Sequence, residues 1–377
     1  MIESGVVNAT QEVAIGWLGE ERRLVQALLV EVEGSAPLPT GAMMIVDGQG
    51  RIEGSITGGC VEGAVVAEAE RLLAEGNGRA RMLRYGISDE LAGTAGLMCG
   101  GIVHIFVHVL VGEAATVERV VLESRAGGRP AAIATLLDGP TAGSRLGVLG
   151  DRLIGSLGAG GLLDDNVARE VQGLLEEGKT TLRRFGDDGA TLGDDLRVHI
   201  RAYASPPQML IVGAIDFAAA LAPMAAQIGY AVTICDARAR FARSSRFTSA
   251  ATVTVAWPQD VMRDVELGPR DAVLVFTHDA KFDEPALIAA LATDVGYIGA
   301  LGSRQTTAGR NARLRQAGVG EADLARIHAP CGLDIGSRTA EETAISVLGE
   351  IIAARAQRAG SPLRSTTGPI HGRDQVA

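Results

Sequence analysis

The chain has 377 residues, enough for two or three domains that each bury a core. Apolar residues make up 47% of it but aromatics only 3%, so those cores are built from Ala, Val, Leu and Ile. A formal net charge of −10 excludes a general nucleic-acid binder, which needs a basic face, and leaves room only for a local basic pocket around a small anion.

From the N-terminus, MIESGVVNATQEVAIGWLGEE lacks a basic start followed by an apolar run, and no stretch approaches the roughly 18 apolar residues of a membrane span. The expected setting is the cytoplasm, with no membrane partner. The four cysteines, Cys60, Cys99, Cys235 and Cys331, form no Cys-x-x-Cys pair. Free thiols in a reducing compartment fit that spacing better than a disulfide framework or a structural zinc site.

Residues 51–86 and 152–186 are versions of one pattern. Gly54-Ser55 recurs as Gly155-Ser156, 101 positions on, and Tyr85-Gly86 as Phe185-Gly186, 100 positions on. Before the copies, Leu29–Val32 matches Ile133–Leu136; after them, Val103-His104-Ile105 matches Val198-His199-Ile200. This is an internal repeat of two α/β lobes. Each reads as strand, turn, strand, glycine-rich loop, amphipathic helix, strand. The helices are expected over about 61–74, ending at Gly76, and about 166–177, ending at Gly178.

Ser205-Pro206-Pro207 reads as a linker. Beyond it, MLIVGA, AVTICDA, TVTVAW, AVLVFT and VGYIGALG are short apolar strands separated by helical stretches, which predicts a Rossmann-like doubly wound parallel sheet. A last helix, from Thr339 to about Arg358, is expected to pack across the lobes. The division expected is therefore a first lobe at 1–115, a degenerate second copy at 116–204, the Rossmann-like domain at 205–360 and a flexible tail at 361–377.

Two copies of one scaffold separate packing from chemistry. Gly54, Ser55 and His104 recur and are explained by the shared fold, whereas residues that differ carry function or its loss. At the 101 offset Cys60 falls on Gly161 and Glu62 on Leu163; at the 95 offset of the Val-His-Ile triplets, Cys99 falls on Asp194. The first copy alone holds thiols, in Gly58-Gly59-Cys60-Val61-Glu62 at a loop-to-helix junction and in Met98-Cys99-Gly100-Gly101 where a loop enters a strand. A thiol at a helix N-terminus is placed to become a thiolate, a nucleophile and a soft metal ligand. The bland alternative is a small buried residue. Glu62 is placed either to cap backbone donors or to accept a proton, and the glycines let a ligand approach the backbone. Cys235 and Cys331 read as core fillers.

In the Rossmann half the first turn reads Val212-Gly213-Ala214-Ile215-Asp216-Phe217-Ala218. Gly213 stands at the first fingerprint position, but the second glycine, which lets a pyrophosphate lie on the backbone, is Ile215. Asp236, at the end of the second strand, stands where an acid grips a ribose hydroxyl. Thr277-His278-Asp279 follows a strand at the ligand-binding edge. Gly302-Ser303-Arg304 opens a helix and is an anion seat of helix N–H groups, hydroxyl and guanidinium. Asp279 and Ser303 also read as plain helix caps. Arg238, Arg240, Arg243 and Arg246 form the one basic run, lying over an anionic ligand or on a solvated helix face.

GSAPLPTGAMMIVDGQGRIEGSITGGCVE (34–62), MCGG (98–101), THDAKFDEPAL (277–287), YIGALGSRQTTAGRNARLRQAG (297–318) and HAPCGLDIGSRTAEETAISVLGEII (328–352) together resemble the XdhC/CoxI family over nearly the whole chain. These are accessory proteins of molybdenum hydroxylases such as xanthine and carbon monoxide dehydrogenase. The resemblance implies binding of the molybdenum cofactor, its protection during sulfuration and its delivery to an apo-hydroxylase, a chaperone role rather than turnover. It implies a hydroxylase client and a cysteine desulfurase as partners. In that role Cys60 contacts or guards the molybdenum, Cys99 is a second sulfur and Glu62 orients or takes a proton. Gly58, Gly59, Gly100, Gly101, Gly213, Asp236, His278, Asp279, Gly302, Ser303 and Arg304 are the further candidate cofactor contacts. The rival reading is an NAD(P)-linked oxidoreductase acting on a small molecule, and a homodimer is the default assembly.

Overall fold

The computed structural model describes residues 5–20, 23–76, 79–86, 101–242, 247 and 252–367. It forms two compact units, one reaching to Ser205 and the other running from Pro206 to Thr366.

The first unit is the repeat. It runs α1 (Gly5–Gly19), β1 (Leu24–Glu33), β2 (Met43–Asp47), β3 (Ile52–Gly54), α2 (Glu62–Glu75), β4 (Arg81–Tyr85) and β5 (Ile102–Leu110). The same series follows as α3 (Gly112–Ala126), β6 (Ala131–Leu136), β7 (Arg145–Leu149), β8 (Arg152–Ser156), α4 (Gly161–Glu177), β9 (Thr181–Phe185) and β10 (Leu196–Tyr203). Each lobe is an antiparallel five-stranded sheet, ordered β3-β2-β1-β5-β4 and β8-β7-β6-β10-β9. Helices α2 and α4 end on Gly76 and Gly178 in left-handed caps.

The repeat is longer than its sequence signature, because each copy begins with a helix. A Cβ at Gly54 would meet Thr10 of α1, and a Cβ at Gly155 would meet Val117 of α3. The boundary expected after residue 115 thus cuts α3, which opens the second copy. Both glycines have positive φ, and a Cβ would lie 2.3 Å from the Met43 carbonyl or 2.4 Å from that of Arg145. Gly54→Ala is expected to destabilise the first lobe by roughly 2–4 kcal/mol, read from the denaturant midpoint, since strained backbone and collision add. A loss under about half a kcal/mol would contradict this packing.

Strand register corrects the sequence match around the histidines. Tyr85 lies opposite Val103, and its counterpart Phe185 lies opposite Leu196. Met44 lies between Ala27 and Gly54, as Leu146 lies between Ala134 and Gly155. His104 therefore corresponds to Arg197 and His199 to Phe106, and Leu29 corresponds to Leu136. Strands of alternating apolar residues look alike when slid by two, because the same face stays inward. His104 is not a shared residue; it binds Glu33 at 2.7 Å, while Arg197 binds Asp138.

One face of each sheet packs on its own helix, Val65, Ala69 and Leu72 of α2 covering β1 and β5, and Val167, Val171 and Leu174 of α4 covering β6 and β10. The other faces meet in a shared core of Leu28, Met43, Ile45 and Phe106 with Ile133 and Tyr203, flanked by Ala14 of α1 and Val117 and Val121 of α3.

The second unit runs β11 (Gln208–Val212), α5 (Asp216–Gln227), β12 (Ala231–Cys235), α6 (Ala239–Ala242), β13 (Thr252–Thr254), α7 (Pro258–Arg263) and β14 (Ala272–Val275). It continues with α8 (Ala280–Leu291), β15 (Tyr297–Ala300), α9 (Arg304–Gln316), α10 (Glu321–Leu324), β16 (Ile327–His328) and α11 (Ala340–Arg355). The sheet is all parallel, ordered β13-β12-β11-β14-β15-β16, the doubly wound arrangement expected. Helix α11, expected to lie across the lobes, packs on α5 within this unit through Ala344, Val347 and Ile351. Of the expected flexible tail, residues 361–367 are described and include an exposed 3-10 turn at Leu363–Ser365. Among the described residues no helix is long and apolar enough to cross a membrane.

Candidate functional site

The loop from β3 to α2 is organised by one side chain. Glu62, in the first turn of α2, folds back over the loop it follows. Its Oε1 accepts from Ser55 Oγ (2.7 Å), Ile56 N (3.1 Å) and Thr57 N (2.8 Å). Its Oε2 accepts from Thr57 Oγ1 (2.9 Å), Gly59 N (2.9 Å) and Val61 N (3.1 Å). Burial alone would raise its pKa, but the donors from Thr57, Ser55 and Ile56 outweigh it and hold the group at about 2. Of the two roles open to Glu62, capping is the one realised; a carboxylate so held takes no proton near neutral pH. The same geometry corrects a second expectation. Of the loop N–H groups expected to receive a ligand's anionic end, those of Ile56, Thr57, Gly59 and Val61 are turned onto Glu62, the loop's built-in anion, and that of Gly58 onto Ser55 Oγ.

What the loop leaves outward is different. Gly58 and Gly59 have φ of +76° and +116°, and nothing lies within 4 Å of where a Gly59 Cβ would stand. Cys60 is half-buried at the edge of the core under α2, neither sealed nor fully exposed. The loop thus presents a thiol beside an open stretch of backbone.

The second lobe shows what is specific here. Its loop is one residue longer, and the buried stripe of α4 shifts to match: Leu163 stands where Val61 does, and Asp164 where Glu62 does. Asp164 accepts from Ser156 Oγ (2.7 Å) and Leu157 N (2.9 Å). Glu62 is therefore not unique to the first copy, as the plain offset implied; an acid holds both loops. Cys60 is unique, and Leu162, half exposed, stands in its place.

Cys99 and Gly100 lie outside the described residues. From Tyr85 to Val103 there are 17 intervening residues, against 10 from Phe185 to Leu196, so the pairing of Cys99 with Asp194 lapses. Gly101 is a packing glycine, for a Cβ there would lie 2.1 Å from the Ser35 carbonyl.

In the second unit the singled-out residues do gather at one edge, the carboxyl ends of the parallel strands. Gly213 follows β11, and a Cβ there would meet Thr277 and Phe276 after β14, at the point where strand order reverses. His278 is exposed and non-glycine in left-handed backbone (φ +56°). Asp279 caps α8 by accepting from Lys281 N (3.1 Å). Ser303 caps α9 by accepting from Thr306 N (3.0 Å), with Gly302 before it and exposed Arg304 after it.

Asp236 is not set to hold a ribose. It is buried, one oxygen accepts from Ala214 N (2.9 Å), the other from Arg238 N (2.9 Å), and the Arg238 guanidinium grips both. Arg238 in turn lies over the rings of Phe241 and Phe282, so this arginine is spent on the fold. Arg243 and Arg246 lie outside the described residues. Cys235 and Cys331 are buried, and burial pushes their thiols up to about 11 and about 12. Among the described residues no group of three or more His, Cys, Asp or Glu side chains is placed to hold a metal ion.

Sequence reasoning missed a buried polar cluster between the lobes: Gln26, His108, Glu118, Arg145, His199 and Arg201. Its signal was legible as charged and polar residues inside otherwise apolar strands, IFVHVL, RLGVL and VHIRAY.

Comparison with known proteins places the chain in one class. The sequence model of the XdhC and CoxI family matches residues 17–86 and 124–186, the two lobes, and that of the XdhC Rossmann domain matches residues 209–351. The chain belongs to the XdhC and CoxI family. It is 28% identical over 341 residues to a probable xanthine dehydrogenase subunit of Bacillus subtilis (strain 168), covering 90% of this chain and 95% of that one. It is 27% identical over 331 residues to the molybdenum cofactor insertion chaperone PaoD of Escherichia coli (strain K12), covering 88% and 83%. A crystal structure of a xanthine dehydrogenase from Bacillus halodurans superposes with a TM-score of 0.70 at 23% identity, covering 94% of this chain and 98% of that one, which establishes the shared fold.

Proposed function

We propose that the chain is a cytoplasmic accessory protein of molybdenum hydroxylases. It binds the molybdenum cofactor as cargo, shields it during sulfuration and hands it to an apo-hydroxylase. The observation that carries this reading is the Cys60 loop. It exists in full in one lobe only, it is held rigid by an acid that six donors keep ionised, and it leaves a thiol beside open backbone. Sulfur is a soft donor suited to a thiophilic metal, and a preformed loop loses little freedom on binding. The names of the similar proteins, a cofactor insertion chaperone and a probable component of xanthine dehydrogenase, point the same way. Cys60 contacts or guards the metal, Cys99 supplies a second sulfur, and Gly302 to Arg304 seat an anionic group.

Retention is the measurement that checks it. Purified protein is loaded with molybdenum cofactor, passed through gel filtration and assayed for molybdenum, then mixed with apo-hydroxylase and assayed for restored activity. The wild type should retain and transfer the cofactor, and Cys60→Ala should retain roughly tenfold less or worse. Equal retention by Cys60→Ala overturns the thiol's role; a wild type that binds no cofactor overturns the reading as a whole.

A further inference from the structure

Between the two N-terminal sheets the core carries an unbalanced charge. Glu118, on α3, is fully buried, and its carboxylate accepts from Gln26 Nε2 (2.9 Å), from Arg201 Nη2 (2.6 Å) and from Arg145. Arg145 also donates to Gln26 Oε1 (2.6 Å) and to His108 Nε2 (2.5 Å), and Arg201 reaches Met43 Sδ at 3.5 Å. Burial and the two nearby guanidiniums hold His108 well below its usual range and His199 at about 3, so both rings are neutral. Two arginines therefore face one carboxylate. A net positive charge shut away from water costs several kcal/mol unless something compensates it.

The unused hydrogen-bonding groups lie together. Nε of Arg145, Nε of Arg201, both ring nitrogens of His199 and Oγ1 of Thr135 are buried with no hydrogen-bond partner among the described residues. Thr135 of β6 sits opposite His199 of β10 on one side and opposite Arg145 of β7 on the other. Arg201 follows His199 by two and shares its face. Four neighbouring positions on one sheet face thus carry spare polar groups. The two arginine nitrogens can only donate, and the hydroxyl and the neutral imidazole each offer a donor as well. A water molecule could give its hydrogens to the bare nitrogen of His199 or to the Thr135 hydroxyl, but it would leave the charge in place. An anion needs donors and supplies the missing charge.

We propose that a small monovalent anion of the halide class is held between the two lobes by Arg145, Arg201, His199 and Thr135. This site is apart from the Cys60 loop and does not depend on how that loop functions. The full-length protein is unfolded thermally in sodium bromide, sodium chloride and sodium gluconate at equal ionic strength, and crystals grown in bromide are examined for anomalous scattering. The expected result is a midpoint higher by about 2–4 °C in either halide than in gluconate, with a bromide peak beside the four side chains. Arg145→Met removes the excess charge using the residue that the first lobe carries at the matching position, Met43. In that variant the halide shift should vanish. If the variant fails to fold, the wild-type crystals decide. Ordered water in place of bromide, or a wild-type midpoint that ignores the halide, overturns the proposal.

Discussion

Glu118→Ala is expected to cost the N-terminal unit about 3–5 kcal/mol, a large share of the 5–15 kcal/mol that holds a domain folded. The loss arises less from missing contacts than from what stays behind. Arg145 and Arg201 would face each other in the shared core with no carboxylate between them. Equilibrium urea unfolding followed by circular dichroism reads the effect. Glu118→Gln should lose nearly as much as Glu118→Ala, because the amide keeps the shape but not the charge, and its NH2 turns a donor toward groups that themselves donate. The triple variant Glu118→Leu, Arg145→Met, Arg201→Leu should recover much of the loss, since removing all three ions also removes the cost of their desolvation. A triple variant as unstable as Glu118→Ala would mean that shape, and not charge, dominates this core.

The second large effect concerns Glu62 and carries a pH signature. Its carboxyl titrates at about 2 in the folded protein, against 4.5 for the ordinary group. A depressed folded pKa means the unfolded chain binds the proton more readily. The stabilisation is therefore fully present above pH 4.5 and is lost as pH falls toward 2. Discounted for partial exposure it amounts to about 2 kcal/mol. Glu62→Gln should lower the urea midpoint at pH 7 and differ little from wild type near pH 2. The amide brings its own donors to face Ser55, Thr57 and Gly59, so the loop should open and cofactor retention should fall together with stability. A difference independent of pH would show that Glu62 acts through its shape and not through its charge.

Most of the architecture is legible in the sequence. The glycine stops of α2 and α4, the alternation of strands and helices after Pro206 and the recurrence of Gly-Ser and of an aromatic-glycine pair are local features, and local features survive in a sequence. What went astray was register. Val-His-Ile occurs after both copies, yet the two triplets are out of step by two residues, because apolar alternation carries no absolute position. One added residue in the second loop likewise concealed the match of Glu62 with Asp164.

Of the candidate site, the sequence by itself determined that thiols belong to one copy and that glycines surround Cys60. It also determined that Ile215 interrupts the dinucleotide fingerprint, since each of these is a matter of residue identity. Only the tertiary structure decided what the polar groups are used for. Glu62 and the loop N–H groups satisfy each other, Asp236 and Arg238 do the same in the second unit, and Glu118 meets Arg145 and Arg201 across a core that joins the two lobes. Hydrogen-bond capacity is a property of type, but its use depends on which distant strand or turn arrives beside it.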